Sequence, residues 1–327
     1  MRRREFVPAF FSAALAWPFD ARAQDAARIP RVGYLFSFVA STGQHLWRAC
    51  RDGLHELGYV EGRNIVLEPR WTEGRIERLP VLAAELVRLN VDVIVSAATP
   101  ASRAVKAATG TIPIVFVAVA DPIRAGLVAT YRRPGGNATG ISLLTPELSG
   151  KRLQIITEVV PRARRVAVLT NPDNLSHTVF LDETAAAGKT IGVQIEVLRA
   201  RNRGEIEAAF QDMPKRDAQA LIVFDDPTLW SHRKQVVALA GKLKIPAMYG
   251  YSEFVSDGGL VSYGPHRPDL YRRTAGYVDK ILKGAKPAVL PVERPIKFEM
   301  FANLKTAKSL GLNMPASILL QADKVFD

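Results

Sequence analysis

The sequence predicts an α/β chain of two doubly wound parallel-sheet lobes joined by a hinge, and three observations carry that reading. The chain has 327 residues, enough for about two domains that each bury a core. Short β-like runs alternate with amphipathic stretches of about 10–15 residues, the pattern of parallel strands joined by right-handed crossovers. The second half of the chain then repeats the order of the first. With 48% hydrophobic and 23% charged residues, a disordered, collagenous or disulfide-stapled chain is excluded. The single cysteine, Cys50, rules out an intramolecular disulfide and any Cys/His zinc pattern.

Residues 1–23 read as an export leader. Arg2, Arg3 and Arg4 form a basic start, residues 7–18 a short apolar stretch, and Ala21-Arg22-Ala23 a cleavage site. Arg3-Arg4 followed by Phe6 also resembles the twin-arginine form of such leaders. Cleavage after Ala23 would release the chain into the periplasm, where a lone cysteine cannot mispair within its own chain.

The first strand is expected at residues 31–36. The next segment, 46–57, places Leu46, Cys50, Leu54 and Leu57 on one helical face, so Cys50 reads as core. A strand at 64–70 follows, then a helix marked by Leu79, Leu82, Ala83 and Leu86. Residues 91–96 form a strand, 101–108 a short helix, and 114–117 another strand. The grammar restarts at Arg165. Arg165-Val-Ala-Val-Leu169 parallels Arg31-Val-Gly-Tyr-Leu35, and Ile245-Pro-Ala-Met-Tyr249 parallels Ile112-Pro-Ile-Val-Phe116. Gly135-Gly136 and Gly258-Gly259 fall where the chain would turn near its lobe crossings.

Catalytic patterns are missing. Neither half carries G-x-G-x-x-G after its first strand, and no G-x-x-x-x-G-K-[ST], G-x-S-x-G or H-E-x-x-H occurs. His45, His55, His177, His232 and His266 are scattered, so the reading is of a non-enzyme without metal or cofactor. The formal charge of +12 is spread over many small basic groups, without aromatic interleaving or a helix-turn-helix. A solvated basic surface is expected rather than nucleic-acid binding.

The candidate site lies at the strand ends. Small polar residues precede proline at Thr99-Pro100, Asp121-Pro122, Thr145-Pro146, Asn171-Pro172 and Asp226-Pro227. This is the pattern of an N-cap followed by proline at the first helical position. Helix N-termini at the carboxyl edge of a parallel sheet aim N–H groups into the crevice where open α/β folds bind ligands. The first half offers a neutral end, Ser96-Ala97-Ala98-Thr99, suited to an anionic group. The second offers Asp225 and Asp226, which either pair a cation or serve as a cap and a solvated acid. Phe38, Trp47, Trp230, Tyr249 and Tyr251 are candidate walls, with Tyr249 and Tyr251 favoured because their hydroxyls need partners.

Ordered blocks along the mature chain resemble one family. They include Leu57-Gly-Tyr-Val-Glu-Gly-Arg-Asn64, Ala98-Thr-Pro-Ala101, Arg133-Pro-Gly-Gly-Asn-Ala-Thr-Gly140, Glu293-Arg-Pro-Ile-Lys-Phe-Glu299 and Asn303-Leu-Lys-Thr-Ala-Lys308. These are similar to the tryptophan/tyrosine-type ABC transporter substrate-binding proteins. The resemblance implies a class I periplasmic-binding-protein fold with two lobes linked by three strands. It also implies delivery of a solute to a membrane permease driven by a separate ATPase subunit. By position, the family's cleft falls at Ser37, at Ala97, Ala98 and Thr99, from Ala118 to Asp121, at Asn171 and Asp226, and at Tyr249, Gly250 and Tyr251. A large branch of the family has glycine where Ala98 and Ala120 stand.

The expected division is residues 24–142 plus 265–298 in lobe 1 and 143–264 in lobe 2, with 299–327 assigned to neither. The expected function is a monomeric periplasmic solute-binding protein for a small carboxylate-bearing or amino-acid-like molecule. The rival is a ligand-sensing module that signals through a membrane receptor kinase. A repressor-type effector domain is set aside by the leader and the missing DNA-binding helices.

Overall fold

The computed structural model describes residues 28–143 and 146–327. The export leader and Thr145, two of the features expected above, lie outside the described residues.

The first sheet has five strands: β1 (Arg31–Phe36), β2 (Val66–Trp71), β3 (Val93–Ala97), β4 (Ile114–Val119) and β5 (Ala138–Ser142). Their order is β2-β1-β3-β4-β5 and every pairing is parallel. Helices α1 (Ala40–Glu56), α2 (Leu79–Arg88) and α3 (Ala98–Ala108) make the crossovers. β3 and β4 are buried throughout, which is why β4 reads as an unbroken apolar run and β3 as one interrupted only by the small Ser96, rather than as alternating strands.

After α4 (Pro146–Val159) the pattern repeats. β6 (Arg165–Thr170), β7 (Gln194–Arg199), β8 (Ala220–Val223), β9 (Ala247–Tyr249) and β10 (Val261–Pro265) take the order β7-β6-β8-β9-β10, again parallel. They are joined by α5 (Ser176–Ile191), α6 (Arg203–Asp212), the consecutive α7 (Pro227–Ser231) and α8 (Arg233–Lys242), and α9 (Ser252–Ser256). The internal repeat read from sequence is therefore a repeat of topology, strand for strand.

α10 (Arg267–Leu282) returns to the first lobe and packs along α1. Gly53 permits this close approach, because a Cβ there would collide with the Arg272 carbonyl oxygen. Cys50 is fully buried on the same face, 3.9 Å from the Thr274 hydroxyl, so it is a core residue. The chain then crosses back. β11 (Phe298–Asn303) pairs antiparallel with β10, α11 (Leu304–Ser309) and α12 (Ala316–Gln321) follow, and β12 (Lys324–Phe326) pairs parallel with β11. The C-terminal segment, left unassigned from sequence, thus joins the second sheet.

The passages between lobes run side by side. Ser142 N–H donates to Glu293 O at 2.9 Å, Glu293 N–H to Gly140 O at 3.0 Å, and His266 N–H to Lys297 O at 3.0 Å. The glycine pairs do not mark these passages. Gly135 and Gly258, at φ 81° and 102°, turn the chain into β5 and β10, whereas the crossings follow those strands. Parallel strands all enter from one edge and leave at the other, so a turn before a strand lies far from the crossing after it.

Candidate functional site

The carboxyl ends of the strands of both sheets come together at the junction of the lobes. In the first lobe, Ser37 follows β1 and is buried. Its hydroxyl donates to Ala97 O at 3.0 Å and accepts from Ala101 N–H at 3.2 Å, tying the β1 end to the start of α3. Of the first-turn N–H groups of α3, Ser37 takes that of Ala101 and Pro100 has none. Ala98 and Thr99 supply the others, which have no acceptor within a helix. The Thr99 hydroxyl reaches the second lobe, 3.3 Å from Ser176 Oγ at the start of α5.

Ala98 and Ala118 hold positive φ, 70° and 58°, a conformation that costs an L-residue roughly 1–2 kcal/mol. Such strain gathers at functional sites. Ala98→Gly is therefore expected to stabilise the protein by about 0.5–1 kcal/mol, the relief exceeding the added unfolded-state entropy of glycine. Equilibrium urea unfolding checks this, and a loss of stability would show that the Ala98 methyl group contributes packing that outweighs the strain.

The cap pattern needs correction. Only Asp226, of the residues read as N-caps and described here, caps a helix with its side chain, with Pro227 in the first turn of α7. Thr99 lies inside α3, which starts one residue earlier. Asp121 accepts from Ile123 and Arg124 N–H at 3.1 and 3.0 Å, closing a turn that no helix continues. Asn171 accepts from Asp173 N–H at 3.1 Å in an Asx turn ahead of α5. Asx side chains before proline stabilise turns and caps by the same bond, so spacing alone does not separate them.

In the second lobe, Asp226 is buried and saturated. Its oxygens accept from Thr228 and Leu229 N–H at 2.8 and 3.1 Å, and from the Asn171 and Asn174 amides at 3.3 and 2.9 Å. Asp225 is not a solvated acid: it forms an ion pair of 2.9 Å with Arg152 of α4, both side chains being at most 3% exposed. Arg152 Nε also donates to Tyr263 O at 2.8 Å. Gly250 is required beside this pair, because a Cβ would overlap Asp225 Oδ1 and the Arg152 guanidinium.

His177 joins the two strand ends. Nδ1 accepts from Asn171 N–H at 2.9 Å and lies 2.7 Å from the Thr170 hydroxyl, while Nε2 is 3.2 Å from Asp225 O. That partner set assigns the neutral Nε2–H tautomer. Burial lowers the His177 pKa, with the neighbouring Asp226 and Asp225 opposing the shift.

The aromatic wall differs from the expected one. Tyr249 is buried and stacks on Phe254 of the same lobe, with ring centres 4.6 Å apart. β9 projects alternate side chains to opposite faces, and Tyr249 takes the face under α8 and α9. Trp230 instead meets Phe38 across the lobes, edge to face at 5.0 Å. Trp47 packs against Tyr34 and Phe36 within the first lobe. Tyr251 does reach the junction, and there Arg267 of α10 lies between two rings, 4.2 Å from the centres of both Trp230 and Tyr251. Arg267 also pairs with Glu253 at 3.0 Å, and Glu253 with His45 of α1 at 3.0 Å. Burial would raise the Glu253 carboxyl, but Arg267 and His45 overcome it and hold the pKa at about 2.

Arg152, Asn174, Ser176, His177, Glu253 and Arg267 are thus residues that sequence reasoning missed. Asn174 and Ser176 were visible as polar neighbours of Asn171. Arg152 and Arg267 sit at helical positions that composition reads as solvated, and only their burial separates them from the other basic residues. Among the described residues, no group of three or more His, Cys, Asp or Glu is placed to hold a metal ion, and no helix is long and apolar enough to cross a membrane.

Two α/β lobes of one topology, linked side by side and meeting at their strand ends, define a class I periplasmic-binding-protein fold. The family described as ABC transporter substrate binding protein matches residues 43–326, and the chain belongs to it. A tyrosine-binding protein of Clostridioides difficile is 26% identical over 260 residues, covering 79% of this chain and 74% of that one. A conserved domain protein from Vibrio cholerae superposes with a TM-score of 0.87 at 27% identity, covering 91% of this chain and all of that one. A domain from Streptococcus pneumoniae, solved with L-tryptophan, gives 0.85 at 27% identity, covering 91% and 99%.

Proposed function

We propose that this chain is the exported solute receptor of an ABC importer and closes around a small amino-acid-like carboxylate held between its lobes. The observation that carries the reading is the meeting of two polar strand ends, with Thr99 and Ser176 hydroxyls 3.3 Å apart across the junction. Relatives that bind tyrosine and L-tryptophan support the ligand class.

The first turn of α3 would take the carboxylate through the Ala98 and Thr99 N–H groups and the Thr99 hydroxyl. The second lobe would present Asn171 and Asp226, already locked by their mutual hydrogen bonds, so little ordering is left for binding. Phe38 and Trp230, in edge-to-face contact at 5.0 Å, would form one aromatic wall against a flat side chain. Among the described residues the Trp230 indole N–H is buried without a partner, and a solute acceptor would satisfy it. Closure then follows from contacts that exist only when both lobes meet. A membrane permease with its separate ATPase subunit would receive the solute in the periplasm.

Titration calorimetry with tyrosine, tryptophan, other amino acids and amine-free aromatic acids tests this directly. Thr99→Val should weaken the best ligand by about 1–3 kcal/mol, roughly 5- to 150-fold, since it removes a buried hydroxyl at nearly constant volume. Unchanged affinity would take Thr99 out of the site. Binding of acids and amino acids alike would leave no role for the second lobe in amine recognition.

A further inference from the structure

His177, in the first turn of α5, is buried and bonded at both ring nitrogens. Two of its partners have roles that chemistry fixes. Nε2 lies 3.2 Å from Asp225 O, a carbonyl that can only accept. Nδ1 lies 2.9 Å from the Asn171 backbone N–H, which can only donate. The ring therefore bridges the ends of β6 and β8 in one protonation state alone, neutral with its hydrogen on Nε2. The Thr170 hydroxyl, 2.7 Å from Nδ1, serves as a second donor to the same nitrogen.

The backbone that His177 holds belongs to the side chain that reaches Asp226. Asn171 Nδ2 lies 3.3 Å from both Asp226 oxygens, and Asn171 Oδ1 accepts from Asp173 N–H at 3.1 Å. The segment that follows carries Ser176, which meets Thr99 of the first lobe at 3.3 Å. A proton on Nδ1 would set two N–H groups against each other 2.9 Å apart. The Asn171 backbone would then have to move and take its side chain from Asp226. The charged groups facing the ring are Asp226 and Asp225 at the end of β8, with Arg152 of α4 paired to Asp225. Burial outweighs both carboxylates and depresses the His177 pKa. The neutral bridge is thus complete above about pH 6.5 and is lost as the pH falls below that value.

We propose that His177 is a positioning residue for solute binding: its unprotonated Nδ1 fixes the Asn171 backbone and so sets the Asn171–Asp226 face that the second lobe presents. This rests on the strand ends being the solute site. Protonation of His177 and solute binding then oppose each other, each weakening the other by the same factor.

Two variants separate positioning from packing. His177→Asn keeps an acceptor oxygen in the place of Nδ1 and does not titrate, whereas His177→Leu fills the space without an acceptor. Urea unfolding establishes that each variant folds, and calorimetry with L-tyrosine and L-tryptophan reads the affinity. At pH 7.5, His177→Leu should bind at least tenfold more weakly than wild type and His177→Asn within threefold of it. Between pH 7.5 and 4.5, wild type should lose at least threefold more affinity than His177→Asn. Equal affinity in all three proteins, equal weakening in both variants, or one pH profile shared by wild type and His177→Asn overturns the proposal. If neither amino acid binds wild type, the solute reading fails, and hydrogen exchange of the Asn171 amide without solute decides the positioning separately. Its protection should fall at least tenfold in His177→Leu and stay within threefold in His177→Asn, and equal protection in all three proteins overturns the role.

Discussion

Trp230→Ala is expected to cost about 3–5 kcal/mol of stability, the range for truncating a fully buried large aromatic side chain. Trp230 is 1% exposed and is among the largest fully buried side chains. Its ring is shared by both lobes, meeting Phe38 at 5.0 Å, with Arg267 4.2 Å and Arg233 5.3 Å from its centre. Truncation therefore leaves a cavity and also strips the buried Arg267 guanidinium of one face. Equilibrium urea denaturation measures the loss. A cost under about 1 kcal/mol would mean that the lobes close over the gap and that Trp230 does not hold them together. Solute affinity should fall in the same variant, because the indole would form one wall of the proposed cleft.

The second large effect concerns the Arg152–Asp225 pair. Arg152→Met should destabilise by about 3–5 kcal/mol, since it strands a buried carboxylate and the Tyr263 carbonyl. Adding Asp225→Asn should recover most of that loss by removing the charge, because replacing both partners of a buried pair costs far less than breaking it. The double-mutant cycle is the decisive measurement. If the double variant is no more stable than Arg152→Met, then packing of the arginine stem, and not the unpaired charge, is what the site needs.

Both variants depend on features that the sequence displays poorly. Arg152 shares a face of α4 with Leu148, Ile155 and Ile156, so its register places it toward the core, but an arginine there reads as a stem on the apolar face with its charge in water. Arg267 follows His266, which caps α10 through Asp269 N–H at 3.3 Å, so the sequence there reads as an ordinary helix start. Trp230 was legible as an aromatic just after a strand end, though ranked below Tyr249. Hydroxyl chemistry favoured Tyr249, but strand alternation turned it inward, and that depends on sheet register rather than residue type.

Local chemistry was legible wherever one short segment decides it. The strand-helix alternation, the Asp226-Pro227 cap and the buried Leu46, Cys50 and Leu54 of α1 follow from spacing within a dozen or so residues, whereas Leu57, read onto the same face, falls just past the helix end and is exposed. Long-range pairing was not. That Asp225 belongs to Arg152, 73 residues away, is a fact of the fold.

The sequence by itself determined the two-lobed α/β architecture, its internal repeat and the strand ends as the region of interest. Hydrophobic periodicity sets secondary structure, and the crossover rule leaves few ways to arrange it. Only the tertiary structure decided which charges are spent internally and which stay free. It paired Asp225 with Arg152, saturated Asp226 and set Arg267 between two aromatic rings. The physical reason is that the cost of a buried charge depends on partners brought close by folding, and sequence distance carries almost no information about them.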